Sequence, residues 1–184
     1  MKTNTLSRTM HDIGLAAWFG GSLMGAVGLN GAAADVDDPR QRARVANAGW
    51  GRWTPVNLTA IGAALVGGAQ LTRANKGRLK AQKGVGTSSV VKTGLLAAAL
   101  GATAYSRILG EKVMQAGDVP VEGGTSPSAE TPIEVAKAQK QLHFLQWGIP
   151  ALTGSVLAMN ALQGEQQRPK VVAKGVAKRL VHAK

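Results

Sequence analysis

Three stretches of the chain carry no charge, and each is as long as a helix that crosses a bilayer. From Ile13 to Ala34, 22 residues run with Ser22 and Asn30 as the only polar side chains. Between Arg52 and Arg73 lie 20 uncharged residues, and between Lys140 and Glu165 lie 24 more. A hydrocarbon core of ~30 Å is crossed by roughly 20 such residues in a helix. A fourth stretch, Val90 to Leu109, contains Lys92 and Arg107, both near its ends, where long basic side chains reach the headgroups. The pattern predicts an all-α fold: a single-domain integral membrane bundle of four transmembrane helices, over about residues 10–34, 55–72, 88–115 and 132–163.

These stretches are built on Ala and Gly more than on Leu and Ile. Val90 to Leu109 has seven large aliphatic residues, together about −2 to −4 kcal/mol of insertion energy before its two charges are counted. Such a helix is marginal alone in lipid. Small side chains let backbones approach closely and favour helix association. Gly21 and Gly25 form a GxxxG step with Gly28 following, and Ala97 to Gly101 is a small-residue equivalent. These five positions are the expected helix-packing sites.

Helix ends are signalled locally. Thr9 with Asp12 resembles a capping arrangement, and Thr131-Pro132-Ile133-Glu134 is a cleaner one with Pro at the first helical position. Pro150 predicts a kink in the last helix. Arg40 to Trp53 reads as a short interfacial helix, and residues 117–131, rich in Gly, Pro and Ser, as an irregular extracytoplasmic loop. Trp50, Trp53 and Trp147 fall at helix entrances, as interfacial anchors do.

Charge sets the orientation. The chain has 22 Lys+Arg against 10 Asp+Glu, a net charge of +12. With both termini cytoplasmic, the cytoplasmic side collects Lys2, Arg8, the cluster Arg73, Lys76, Arg78, Lys80 and Lys83, then Lys92 and the basic tail 165–184. The opposite side has fewer basic residues and most of the acids, the arrangement the positive-inside rule favours. The expected location is the cytoplasmic (inner) membrane of a bacterium, as a multi-pass protein. The cluster from Arg73 to Lys83 is the candidate anionic-lipid contact, each basic residue near such a surface contributing about 1 kcal/mol. In the tail, Val172, Val176 and Leu180 recur at helical spacing among lysines, which suits a surface-lying helix. Lys2, Arg8 and Ala32-Ala33-Ala34 also resemble a cleaved leader, but the run is long for one and Asp12 stands at its entrance.

Candidate chemistry is thin. The chain has no Cys, which excludes disulfides, thiolate metal sites and a Cys nucleophile. His11 and His143 fall at opposite ends of their helices, too far apart to share a haem iron, and His182 lies in the tail. Asp35, Asp37 and Asp38 lack the further ligands of a calcium loop. Arg107 has Glu111 one turn away as its natural partner. No hydrolase triad, metal motif or nucleotide loop is present, so neither an enzymatic activity nor a cofactor is expected. The expected role is an accessory or scaffold subunit of a larger bacterial membrane complex. Its expected partners are anionic lipids and other subunits or further copies of the chain; nucleic acid is not among them. The alternatives are a small transporter or channel, with Ser22, Thr103 and Thr153 lining one cavity, or a quinone-linked redox subunit using His11, Trp18 and Tyr105.

Overall fold

The computed structural model describes residues 4–76 and 85–165 and is almost entirely helical. Helix α1 (Thr5–Met24) passes through a π-helical turn (Gly25–Leu29) into the short α2 (Asn30–Ala34). Helix α3 spans Pro39–Ala74 and α4 spans Val85–Gln115. A two-stranded hairpin, β1 (Val121–Gly123) with β2 (Ser126–Pro127), precedes α5 (Ile133–Glu165). Thr5–Ala34 is the one described helix whose length and apolarity suffice on their own for a membrane crossing. The uncharged parts of the others are diluted by Gly, Thr, Asn and Gln, which lower their hydropathy without adding charge.

The helices run further than the uncharged stretches. Helix α1 begins five residues before position 10, so Thr9 sits inside it rather than capping it. Residues 40–53 are not a separate interfacial helix: α3 continues unbroken through Pro55 for 36 residues. Its start is set by Asp38, whose carboxylate accepts the Arg40 N–H at 3.0 Å, with Pro39 in the first helical position. That cap accounts for the acidic turn. Helix α5 likewise continues through Pro150. The Thr153 hydroxyl, in the turn after Pro150, bonds the Ile149 carbonyl of its own helix at 2.8 Å.

The loop after α4 is more ordered than its composition suggests. Gly117, at φ 77°, takes the left-handed conformation that terminates α4, its N–H bonding Met114 O at 3.1 Å. Thr131 does not cap α5; its hydroxyl donates to Pro120 O at 2.7 Å and accepts from the Ser128 N–H at 2.8 Å, closing the hairpin. Buried Gln139 of α5 donates to Gly123 O at 2.9 Å and holds the hairpin against the bundle. Between the helices at this end, Lys112 bridges Glu134 at 3.0 Å, and Lys137 joins from the next turn.

Helix α3 packs chiefly on α1 and α4 on α5; the two pairs join mainly through α1 and α5, with a smaller contact between α3 and α4. The central core gathers Leu15, Trp18, Ile61, Ala64, Ala99, Ile149 and Val156, and a second layer under the hairpin gathers Ala43, Leu109, Val113, Val121, Val135 and Ala138. The α1–α3 seam is made by glycines. A methyl group at Gly14 would strike the Ala60 carbonyl and come within 2.7 Å of Ala64 N. One at Gly67 would strike the Ser7 carbonyl and come within 2.7 Å of His11 N. Backbone therefore lies on backbone at two points.

Alanine at Gly14 or Gly67 is expected to force this seam apart and cost about 1–3 kcal/mol, as overpacking does. Alanine at Gly20 or Gly62, which face open space, should instead stabilise by up to about 1 kcal/mol through helix propensity. Chemical unfolding followed by circular dichroism measures both pairs; equal shifts for the two pairs would contradict the seam.

Candidate functional site

One end of the bundle collects the start of α1, the end of α3 and the end of α5. Ser7 donates to Gln70 Oε1 at 2.5 Å, and Asn160 Nδ2 donates to Asp12 Oδ1 at 2.9 Å. Lys92, near the start of α4, lies within electrostatic reach of Asp12 and Arg8. Arg73 and Lys76 are exposed here; Arg78, Lys80, Lys83 and the tail beyond residue 165 lie outside the described residues. His11 is buried in the seam, its Nδ1–H donating to Ala64 O at 2.6 Å. His143 lies near the other end, beside Gln146 at 3.3 Å, so the two histidines are not brought together. Among the described residues no three His, Cys, Asp or Glu side chains gather as metal ligands do.

The packing glycines divide into two kinds. Gly21 and Gly25 are occupied within the chain: a methyl group on either would run into the indole of Trp53 or Trp50, respectively. The GxxxG step therefore makes an internal contact between α1 and α3. Gly28 meets only Met24 of its own helix, at 3.6 Å. Ala97 and Gly101 face outward from α4, and nothing stands within 4 Å of a methyl group built on Gly101. The same contacts locate the three candidate anchor tryptophans. Trp50 and Trp53 turn inward over glycines, whereas Trp147 is 49% exposed. A spacing rule for aromatic belts does not see that a glycine on the neighbouring helix offers an indole a flat bed.

The outside of the bundle is apolar on every side. Val27 of the π turn, Leu58 of α3, Ile108 of α4 and Phe144 of α5 are 60%, 64%, 65% and 76% exposed. Charged side chains gather toward the helix ends. Arg107 pairs with Glu111 at 3.6 Å, and Arg44 with Asp118 at 3.7 Å. The Tyr105 hydroxyl, a candidate for quinone contact, donates to Gln141 Oε1 of α5 at 2.6 Å.

Between α3 and α4 the bundle encloses a cavity of about 270 Å³. At its hairpin end lies a polar network that spacing did not reveal. Asn30 Nδ2 donates to Gln146 Oε1 at 2.9 Å, the Trp50 indole N–H donates to Asn30 Oδ1 at 3.0 Å, and Thr125 Oγ1 reaches Gln146 Oε1 at 3.2 Å. The π turn just before Asn30 takes more residues per revolution than an α turn and so rephases the inward stripe of this helix. Ser22 and Thr103 line the cavity, and Trp18 donates to Thr103 Oγ1 at 3.2 Å. Thr153 does not join them; it is buried against its own helix. The legible signal for this site was the stripe Trp50, Trp53, Asn57, Ile61 at helical spacing on α3, a mixed aromatic and polar face that all lines the cavity.

Asn30→Leu is expected to cost about 1–3 kcal/mol, because it leaves the Trp50 N–H without its acceptor. Thr59→Ala, an exposed hydroxyl bonding its own helix, should stay within about 0.5 kcal/mol. Unfolding monitored by tryptophan fluorescence compares the two; equal effects would deny the network its role. No protein-family model, curated protein or solved structure matches this chain.

Proposed function

We propose that the chain is a multi-pass membrane protein of four crossing helices that serves as an accessory or scaffold subunit of a larger bacterial membrane assembly. The observation that carries this reading is the exposed apolar exterior shared by all four long helices. Those of α1, α3 and α5 lie on helix segments without charge, such as the 20 residues between Arg52 and Arg73, and that of α4 lies on a stretch with charges only near its ends. At 1.5 Å per residue that segment covers ~30 Å, the thickness of a hydrocarbon core. In water, so much contiguous apolar surface is a liability; in lipid it is the solvated face.

The subunit role follows from what the exterior offers. Gly94 and Gly101 face open space, and Ala97 and Ala98 beside them are exposed, so α4 presents a flat small-residue face to a neighbouring helix. Gly21 and Gly25 are already used inside the chain and are not part of that face. The end bearing Arg73 and Lys76 is placed at the cytoplasmic leaflet, where anionic headgroups meet the cluster continuing through Arg78, Lys80 and Lys83. Both termini are then cytoplasmic.

Two steps test this. Alkaline carbonate washing should leave the chain in the membrane pellet; release into the wash would end the membrane reading. Affinity capture after gentle solubilisation should recover stoichiometric foreign subunits, and Gly101→Leu should lose them while Gly51→Leu, on the exposed face of α3, retains them. A chain recovered alone, or only with copies of itself, would end the accessory reading.

A further inference from the structure

Most polar side chains lining the cavity between α3 and α4 already make hydrogen bonds. Ser22, Thr54 and Ser106 donate to carbonyls of their own helices at 2.9, 2.8 and 2.8 Å. Trp18 is satisfied by Thr103 and Trp50 by Asn30. Among the described residues, Trp53 and Asn57 of the lining make no side-chain hydrogen bond, and Asn57 Oδ1 is buried. They stand one turn apart on α3, so an indole N–H and a carboxamide border the same space. Leaving a buried amide oxygen unbonded costs about 1–3 kcal/mol, and a bound hydroxyl donating to it recovers that cost, while a bound carbonyl can accept from the Trp53 indole N–H or the Asn57 amide N–H.

The rest of the lining defines what carries that group. Leu58, Ile61, Leu100 and Ile149 supply aliphatic wall, and Trp53 adds an aromatic side. Leu58 and Ala104 are exposed while lining the cavity, which sets the mouth between α3 and α4. Among the described residues, Arg107 is the one ionisable member of the lining, and it is engaged by Glu111 at 3.6 Å. A cation would find no carboxylate in the lining, and an anion would compete with Glu111 for Arg107. An apolar cavity of ~150 Å³ takes up benzene; at about 270 Å³ this one admits a longer body.

We propose that this cavity binds an uncharged amphiphile, an apolar chain or ring bearing one hydroxyl or carbonyl, which bonds Asn57 and Trp53 and enters sideways between Leu58 and Ala104. This binding does not depend on membership of a complex.

The test is a fluorescence titration of the full chain in detergent, since Trp18, Trp50 and Trp53 all line the cavity. Octan-1-ol and 2-octanone are the neutral probes; octane, octylammonium and octanoate are the comparators. Saturable one-to-one changes are expected for the neutral probes, with octylammonium and octanoate at least tenfold weaker. Asn57→Leu should weaken octan-1-ol at least tenfold and leave octane unchanged. Trp53→Phe, which keeps a ring over Gly21, should weaken 2-octanone in the same way and covers the case in which Asn57→Leu fails to fold. Ala104→Phe should abolish saturation by every probe. Changes that do not saturate, that survive Ala104→Phe, or that are as strong for the charged probes would overturn the proposal. So would equal weakening of octane and octan-1-ol by Asn57→Leu. Loss of subunit capture by Ala104→Phe without any neutral-probe binding would assign the gap to a partner helix instead.

Discussion

The bundle depends on how closely α1 and α3 can approach, and glycine decides that. At Gly14 and Gly67 the two backbones touch, with Ala64 N and His11 N where a Cβ would otherwise stand. One helical stretch further along, the same face of α1 carries Gly21 and Gly25, but there the gap holds the indoles of Trp53 and Trp50. The seam is thus closed by backbone contact toward one end and by aromatic rings toward the other. The rings bring polar edges with them: Trp50 bonds Asn30, and Trp53 borders the cavity. Gly124 of the hairpin fits against Ala46 and Asn30 and plugs the hairpin end. The cavity is a consequence of seam geometry, because α3, held tightly to α1, is left with little contact to α4.

The hydropathy pattern made the long helices legible because absence of charge over 20 residues has few other causes. Their ends were less legible. The start of α3 lies at Pro39 because Asp38 caps it, and the Arg-rich first turns are polar on a helix that projects past its uncharged part. Pro55 reads as a boundary in isolation, yet the helix runs through it. Thr131 has the sequence of a cap, but the Pro120 carbonyl claims its hydroxyl. Such competition between local and non-local partners is invisible along the chain.

The site was legible in part for the same reason. A GxxxG step states that something approaches closely, without stating whether the neighbour belongs to the same chain. For Gly21 and Gly25 the neighbour is α3 of this chain; for Gly101 the described residues supply none. Ser22 and Thr103 were readable as polar residues in apolar helices, whereas Asn30 and Gln146 acquire meaning only once the π turn and the hairpin bring their amides together. Composition alone misleads here: a mean hydropathy near zero averages a charge-free middle with strongly basic ends.

The central claim is that the apolar exterior of this bundle faces lipid. The chain has no cysteine, so single cysteines can be placed at Leu58, Ile108 and Phe144 on the exterior and at Glu122 in the hairpin. Their labelling by a membrane-impermeant maleimide is then compared in intact membranes and after denaturation. The account predicts that Glu122→Cys reacts in intact membranes while the three exterior positions react only after denaturation. Exterior positions that label in intact membranes as fast as Glu122→Cys would contradict it.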